Sequence, residues 1–358
     1  MVGHLAYSRR THLGVLLETT SVYINRINMT PLGKPAWAYT TLYRYVRWMY
    51  IKLYCRTYSV HGLENVPHKG SVLFVTTHQN NLPDALSLGF ASDRRPAFVA
   101  RADLFKNPKV AVLLRFLKIL PMHRADHGRK AITDELPETM HILGDYLAAG
   151  QSCTIMAEGS SAPLRSLRPL KKGWARLVLD AQSIGIQPTV IPVAMEYSDW
   201  QDWGPDVRVV FGKPLNLEVD GDTMAVRLKH MNRIAFDAIS SLIASDEEIQ
   251  SWSNAISRKR KWKDLMWKIA GTPFYIGFSV INAPVFWLTK HRVAKHHRVD
   301  FKSTLQVGFI GLGTPLWLML LHLIATFFTT PVNIAFSALI TPIIAYIAAR
   351  THIAWKKS

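Results

Sequence analysis

Short apolar runs alternate with amphipathic stretches between about residues 60 and 216. The runs are rich in β-branched and aromatic residues and are bounded by turn residues, as is typical of buried strands. They lie at 71–76, 96–100, 153–157, 189–195 and 207–211. The stretches between them are predicted to be helices, at 84–89, 108–117, 136–149 and 172–183. Strands that alternate with helices predict an α/β domain in which helices flank a mostly parallel sheet.

Different patterns flank this domain. Residues 1–36 show no clear periodicity and are predicted to be a poorly ordered N-terminal segment. Residues 37–59 interleave aromatic and basic side chains, a composition typical of a helix at a membrane interface; an amphipathic helix that covers the core would have the same pattern. Residues 217–256 have apolar positions at spacings of three and four, which predicts a helical extension.

The last part of the chain, residues 257–358, is predicted to be a helical membrane region. Segments 305–328 and 331–349 are each long and apolar enough to cross a bilayer, and only two residues separate them, so a transmembrane hairpin is expected. Segment 269–289 is interrupted by Gly and Pro and has basic residues on both sides. Because positive flanks favour the cytoplasmic side, it is expected to be re-entrant or to lie in the interface.

Composition narrows the choice of partner. The 43 Lys and Arg against 25 Asp and Glu give a formal charge of +18, which favours an anionic partner. Much of this charge flanks the apolar segments, and no zinc-finger or RNA-binding motif accompanies it, so a phospholipid surface is favoured over nucleic acid. The two cysteines, Cys55 and Cys153, indicate neither a disulfide framework nor a metal site.

The most suggestive polar residues follow the first buried run. His78 comes directly after the predicted strand 71–76, at the strand end where open α/β sheets place their sites. Pro83 favours the first turn of a helix, so Asp84 is expected at a helix start. Asp84 could then hold one ring nitrogen of His78 and leave the other as a base for an alcohol. On spacing alone, two polar loop residues are the better explanation.

Four sequence blocks in order resemble the phospholipid/glycerol acyltransferase family. The blocks are His78 to Asp84, 119–124 ending in Arg124, 156–161 with Glu158 and Gly159, and 190–193, followed by a Phe-Gly-Lys-Pro segment at 211–214. The resemblance covers roughly residues 60–216. It implies the α/β fold of the glycerolipid acyltransferases, with catalytic His78 and Asp84 and with substrate-binding Arg124, Glu158 and Gly159.

The sequence departs from the family pattern at three points. Five residues separate His78 from Asp84 instead of the commoner four, as in a subgroup that includes glycerol-phosphate acyltransferases. Ala157 replaces a proline, and Ser161 stands where arginine is usual. The phosphate-binding role of that arginine is therefore not transferred to Ser161. Other cations are candidate phosphate contacts: Arg165, Arg168, Lys171 and Lys172.

The resemblance implies transfer of a fatty acyl group from a thioester donor to a hydroxyl of glycerol 3-phosphate or 1-acylglycerol 3-phosphate, in phospholipid biosynthesis. Acyl-CoA or acyl-carrier protein would be the co-substrate, and no cofactor or metal is expected. The expected location is a membrane, with the active site on the cytoplasmic face. The alternatives are an acyltransferase for another lysophospholipid and a non-catalytic lipid-binding or scaffold protein on the same fold.

Overall fold

The computed structural model describes residues 37–122, 136–218 and 223–357, so the predicted N-terminal segment 1–36 lies outside the described residues. Seven strands follow the chain in order: β1 (Thr57–His61), β2 (Val72–Thr76), β3 (Phe98–Arg101), β4 (Ile119–Met122), β5 (Ser152–Met156), β6 (Thr189–Tyr197) and β7 (Asp206–Phe211). The main sheet has the order β1-β7-β6-β2-β5, and β3 pairs with β4 in a small second sheet.

Eleven α-helices lie in the described part of the chain. They are α1 (Trp37–Trp48), α2 (Asn81–Ala91), α3 (Pro108–Phe116), α4 (Leu136–Ala148), α5 (Gly173–Ser183), α6 (Met224–Ser240), α7 (Asp246–Ile281), α8 (Ala283–Ala294), α9 (Val299–Gly308), α10 (Thr314–Ala325) and α11 (Pro331–Lys356). A π-helical segment, Met49–Tyr54, continues α1, and a second one, Phe309–Gly313, joins α9 to α10.

Helices cover both faces of the main sheet, and the interior strand β2 is buried along its whole length. Successive side chains of a strand point to opposite faces. Accordingly, Leu73 and Val75 pack in the core cluster that contains Trp174, whereas Phe74 packs in the cluster that contains Tyr50. A strand buried on both faces reads as a continuous apolar run, which is why the sequence pattern predicts β2 well. The predicted α/β class is confirmed.

The structure differs from the predicted elements in several places. Strands β1 and β4 were not predicted, and β7 runs antiparallel to β6 within an otherwise parallel sheet. The predicted helix 37–59 ends at Tyr54, because Thr57 and Tyr58 already pair with β7 in β1. The predicted extension 217–256 is two helices, since Ser245 and Glu248 form a capping box that begins α7. The expected boundary at residue 257 therefore falls inside α7.

The N-terminal helical segment has one buried face and one exposed basic face. Tyr50 and Tyr54 are fully buried in the core, so one face of the segment covers the domain. Arg44, Arg47 and Lys52 are exposed. The packed face fits a helix that covers the core. The exposed cations leave the basic face open to a membrane surface.

A buried ionic cluster joins the sheet to the C-terminal helices. Arg56 donates from Nε to Asp206 Oδ1 at 2.8 Å and forms an ion pair with the same carboxylate. From α7, Ser253 donates to Asp206 at 3.0 Å and Ser257 accepts from Arg56 at 2.8 Å. From α11, Arg350 donates to the carbonyl oxygens of Cys55 and Arg56, at 3.0 and 3.1 Å. The start of the sheet and two long helices thus share one polar cluster.

Two helical segments are long and apolar enough to cross a membrane, Phe301–Ala325 and Val332–Lys356. Large apolar side chains on both face outwards, among them Leu316, Met319, Phe336 and Leu339. An exposed apolar surface of this extent is typical of contact with lipid. The spans correspond to the predicted hairpin, although each begins or ends a few residues away from the predicted limits.

The helices α7 and α8 form a bent pair with an angle of 77°, which fits either a broken span or a re-entrant loop. The bend lies at Asn282. Pro284 lies in the first turn of the next helix, where a proline is tolerated because an N–H at that position has no helical partner. Segment 269–289 is thus bent in the place where its sequence predicts an interruption.

We expect Asp206→Asn to lower the free energy of unfolding by about 3–5 kcal/mol, because it leaves the buried Arg56 guanidinium without its carboxylate. Thermal unfolding in detergent micelles measures the change. Asp202→Asn is the matched control: Asp202 pairs with Lys356 at 2.6 Å and is 43% exposed, so its loss should cost under about 1 kcal/mol. Equal effects of the two substitutions would contradict the assigned importance of the buried cluster.

Candidate active site

His78 lies in the loop that follows β2, at the carboxyl end of this interior strand. The neighbouring strand β5 runs parallel to β2, with Thr76 opposite Met156. Two residues beyond this pair on each side, the backbone N–H of His78 donates to Glu158 Oε1 at 3.2 Å. Parallel pairing therefore brings the first and third sequence blocks together at one edge of the sheet.

The carboxylate of Asp84 organises this loop. Asp84 is fully buried in the first turn of α2. Its Oδ2 accepts hydrogen bonds from the backbone N–H groups of Gln79 and Asn80, each at 2.8 Å. The Nδ1 of His78 lies 2.9 Å from the same oxygen, and Tyr197 donates to Oδ1 at 2.8 Å. A buried carboxylate with four partners holds the ring in one orientation.

The contact with Asp84 determines which nitrogen of His78 is basic. Because a carboxylate accepts from Nδ1, the neutral ring carries its proton there, and the lone pair remains on Nε2. The His78 side chain is 14% exposed, so a ligand can approach it. The geometry is the one that the sequence predicted: Asp84 lies at a helix start and its carboxylate contacts one ring nitrogen of His78.

Glu158 and Arg168 form a second ion pair beside His78. Arg168 Nε contacts Glu158 Oε2, its Nη1 donates to Ser160 Oγ at 2.9 Å, and its Nη2 lies 3.4 Å from the carbonyl oxygen of His78. Burial raises the pKa of Glu158 above its usual range, while the Arg168 charge acts in the opposite direction. Arg168 therefore links the loop after β2 to the loop after β5.

Gly159 occupies a backbone position that other residues rarely adopt. Its φ is +76°, and a Cβ there would lie 3.0 Å from Lys171 Cγ. The Lys171 backbone N–H donates to Ala157 O at 2.7 Å, which fixes the segment that follows. Glycine is needed both for the left-handed conformation and for the close approach of Lys171.

The remaining predicted residues fall into three groups. Arg124 lies outside the described residues. Arg165 donates to Tyr197 O at 2.9 Å, pairs with Asp246 and lies 4.5 Å over the ring of Trp200. Lys171 and Lys172 are exposed at the start of α5, and Lys172 is its N-cap residue. Both candidate arginines, Arg165 and Arg168, thus contact protein groups.

Tyr197 was not among the predicted site residues. Its hydroxyl contacts Asp84 and lies 3.1 Å from Ser87 Oγ, which in turn lies 2.7 Å from the Tyr50 hydroxyl. Burial, reinforced by the Asp84 charge, raises the pKa of Tyr197 well above its usual range, so the phenol stays protonated and donates. The available signal was its position: a polar residue ends the apolar strand β6, next to β2.

The cysteines do not provide a nucleophile at this site. Both are fully buried, and burial raises the pKa of each thiol well above its usual range. Thiolate is the reactive form of cysteine, and a raised pKa disfavours it. Cys153 packs in the core of the domain. Among the described residues, no group of three or more His, Cys, Asp or Glu side chains is arranged to hold a metal ion.

The first membrane span begins at the candidate active site. From α9, Ser303 donates to Asn80 Oδ1, and Thr304 Oγ1 accepts from the Leu82 N–H at 3.2 Å. Lys302 Nζ contacts Gln201 at 3.3 Å. These contacts place the loop of His78 against the start of a helix that is long enough to cross a bilayer. A lipid substrate could reach the site from the membrane surface.

A protein family and a solved structure are similar to parts of this chain. Residues 57–196 match the Acyltransferase family. The crystal structure of the 1-acyl-sn-glycerophosphate (LPA) acyltransferase PlsC from Thermotoga maritima is similar at 17% sequence identity and a TM-score of 0.43, covering 57% of this chain and 79% of that chain. The curated proteins give no match. The family match confirms the resemblance over these residues: 57–196 form an acyltransferase domain.

We expect Tyr197→Phe to lower kcat about tenfold with little change in KM, because it removes a hydrogen bond to a charged group that orients His78. Steady-state kinetics with a thioester donor measures the split between kcat and KM. Tyr58→Phe is the control, since the Tyr58 hydroxyl donates to Ser87 O at 2.6 Å and does not touch Asp84. A similar loss of kcat in both variants would indicate a general packing effect.

Proposed function

We propose that this protein transfers a fatty acyl group from a thioester donor to a hydroxyl of glycerol 3-phosphate or 1-acylglycerol 3-phosphate. The observation that carries the proposal is the contact of 2.9 Å between His78 Nδ1 and Asp84 Oδ2. It orients a histidine as a general base at the carboxyl end of β2. The match of residues 57–196 to the acyltransferase family supports the same reaction class.

The proton transfers of the reaction follow from the orientation of the His78–Asp84 pair, which leaves Nε2 as the basic nitrogen. The acceptor hydroxyl gives its proton to His78 Nε2 while its oxygen attacks the thioester carbonyl carbon, and the carbonyl π electrons move to oxygen. Asp84 stabilises the imidazolium that forms. When the tetrahedral intermediate collapses, the C–S bond breaks and the departing thiolate takes the proton from His78. A thioester is already activated, so no acyl-enzyme is needed.

Acceptor binding is assigned to the residues around this pair. Glu158 lies next to His78 and could position a glycerol hydroxyl, while Gly159 lets the backbone approach the ligand. By the family resemblance, Arg124 binds the acceptor phosphate, for which a guanidinium is well suited. Lys171 and Lys172 are exposed and are candidate contacts for the phosphates of acyl-CoA, with acyl-carrier protein as the alternative donor.

A membrane location supports a lipid acceptor or product. The span Phe301–Ala325 begins at the loop of His78, and Val332–Lys356 returns to the Arg56 cluster through Arg350. Both ends of the hairpin therefore contact the catalytic domain on one side of the bilayer. Basic residues flank the apolar segments on this side, which favours the cytoplasmic face.

The choice between the two acceptors rests on one sequence feature. The five-residue spacing between His78 and Asp84 resembles the subgroup with glycerol-phosphate acyltransferases and favours glycerol 3-phosphate. Offering both acceptors with a long-chain acyl-CoA and identifying the product would decide between them. The same assay tests the other possibilities, since another lysophospholipid acceptor would give another product and a non-catalytic protein would give none.

We expect His78→Ala to abolish transfer without unfolding the protein or releasing it from the membrane. Asp84→Asn should lower turnover by about two to four powers of ten, because the ring loses its orienting carboxylate. Product formation by detergent-solubilised protein measures both effects. His61→Ala, an exposed position at the end of β1, should keep full activity. Turnover of His78→Ala at the wild-type rate would rule out this mechanism.

The hairpin predicts which residues are accessible on each side of the membrane. Single cysteines at Asn254, His296 and Lys356, in a protein without its two native cysteines, should all react from the active-site side with a maleimide that cannot cross sealed vesicles. A cysteine at Thr330, between α10 and α11, should react only from the opposite side. Labelling of position 296 from the opposite side would make the bent pair α7–α8 a true span.

A further inference from the structure

Arg298 connects the membrane region to the candidate active site. It directly precedes α9, which begins at Val299. Its Nη2 donates to Ser161 Oγ at 3.1 Å, although 137 residues separate the two along the chain. The Arg298 side chain is exposed, whereas Ser161 is buried. The guanidinium therefore lies over a buried hydroxyl at the surface of the protein.

Ser161 belongs to the loop that carries Glu158. The next residue, Ala162, donates from its backbone N–H to the carbonyl oxygen of His78 at 3.1 Å. Through its neighbour, Ser161 is held beside the loop of the proposed catalytic base. A cation held at Ser161 lies at the edge of the site where the acceptor hydroxyl must be placed.

The other arginines of this loop make different contacts. Arg168 spans Glu158 and Ser160, and Arg165 pairs with Asp246 beside Trp200. Position 161 is the place where the resembling family carries arginine, and this chain has serine there. Arg298 brings a guanidinium to that position from another part of the chain, and the small serine both leaves room for it and accepts its hydrogen bond.

We propose that Arg298 binds the phosphate of the acyl acceptor, in the place of an arginine at position 161. The proposal rests on the proposed function and adds a second anion-binding group to Arg124, which the family resemblance assigns to the same phosphate. A guanidinium can grip a phosphate with two parallel hydrogen bonds. Arg298 lies three residues before the span Phe301–Ala325, so the bound phosphate sits at the membrane surface while an acyl chain remains in the bilayer.

The test compares a phosphorylated acceptor with its counterpart without phosphate, using full-length protein in detergent–lipid micelles. The pairs are glycerol 3-phosphate with glycerol, and 1-acylglycerol 3-phosphate with monoacylglycerol. Arg298→Ala should raise KM for the phosphorylated acceptor at least about tenfold, because a charge-assisted contact is lost. KM for the unphosphorylated acceptor and for acyl-CoA should stay unchanged. Arg298→Lys, which keeps the charge without the bidentate grip, should show a smaller increase.

Two further variants make the test specific. Arg292→Ala removes the same charge from α8, where Arg292 lies 6.0 Å over Phe309, and should leave KM unchanged. Adding Ser161→Arg to Arg298→Ala restores a guanidinium at the site and should recover most of the affinity for the phosphorylated acceptor.

An unchanged KM in Arg298→Ala, or an equal increase for both members of an acceptor pair, would overturn the assignment of Arg298. Wild-type protein that transfers no acyl group to any phosphorylated acceptor would instead overturn the proposed function. The wild-type measurement therefore separates the two failures before any variant is compared.

Discussion

The buried carboxylate of Asp84 is the constraint on which the site depends. A charged group without contact to water is costly unless its oxygens are fully hydrogen-bonded, and here the partners come from two elements, the loop after β2 and the end of β6. Two backbone N–H groups fix the loop after β2, the His78 ring fixes the basic nitrogen, and Tyr197 ties the arrangement to β6. The loop, the start of α2 and the orientation of the ring are consequences of satisfying one carboxylate.

The catalytic domain and the membrane region form one packed structure. Arg350 donates to backbone carbonyl oxygens beside the buried Arg56–Asp206 pair, so α11 is anchored where the sheet begins. At the other end of the hairpin, α9 contacts Asn80 and Leu82 in the active-site loop. Because both anchors are polar contacts between distant segments, the site is held at a fixed height relative to the spans. This arrangement suits a reaction whose acceptor or product is a lipid.

Local sequence signals predicted the elements that are buried on both faces. The run 71–76 reads as a strand because every position of β2 is apolar or β-branched, and the apolar length of the hairpin is visible without any tertiary information. Strand β1 was missed because Thr57–His61 continues an aromatic and basic stretch that resembles a helix, and β4 because it is four residues long and contains Pro121. Both are completed by pairing with distant strands, which local patterns do not reveal.

The sequence by itself determined the α/β alternation, the spacing of His78 and Asp84, and the membrane hairpin, because each depends on residues close together in the chain. Only the tertiary structure decided which groups surround the pair. It directs Arg168 to Glu158, brings Tyr197 to Asp84, and places Arg298 on Ser161. These contacts join residues separated by ten to 137 positions, and such partners depend on how strands pair and helices pack, which no local periodicity encodes.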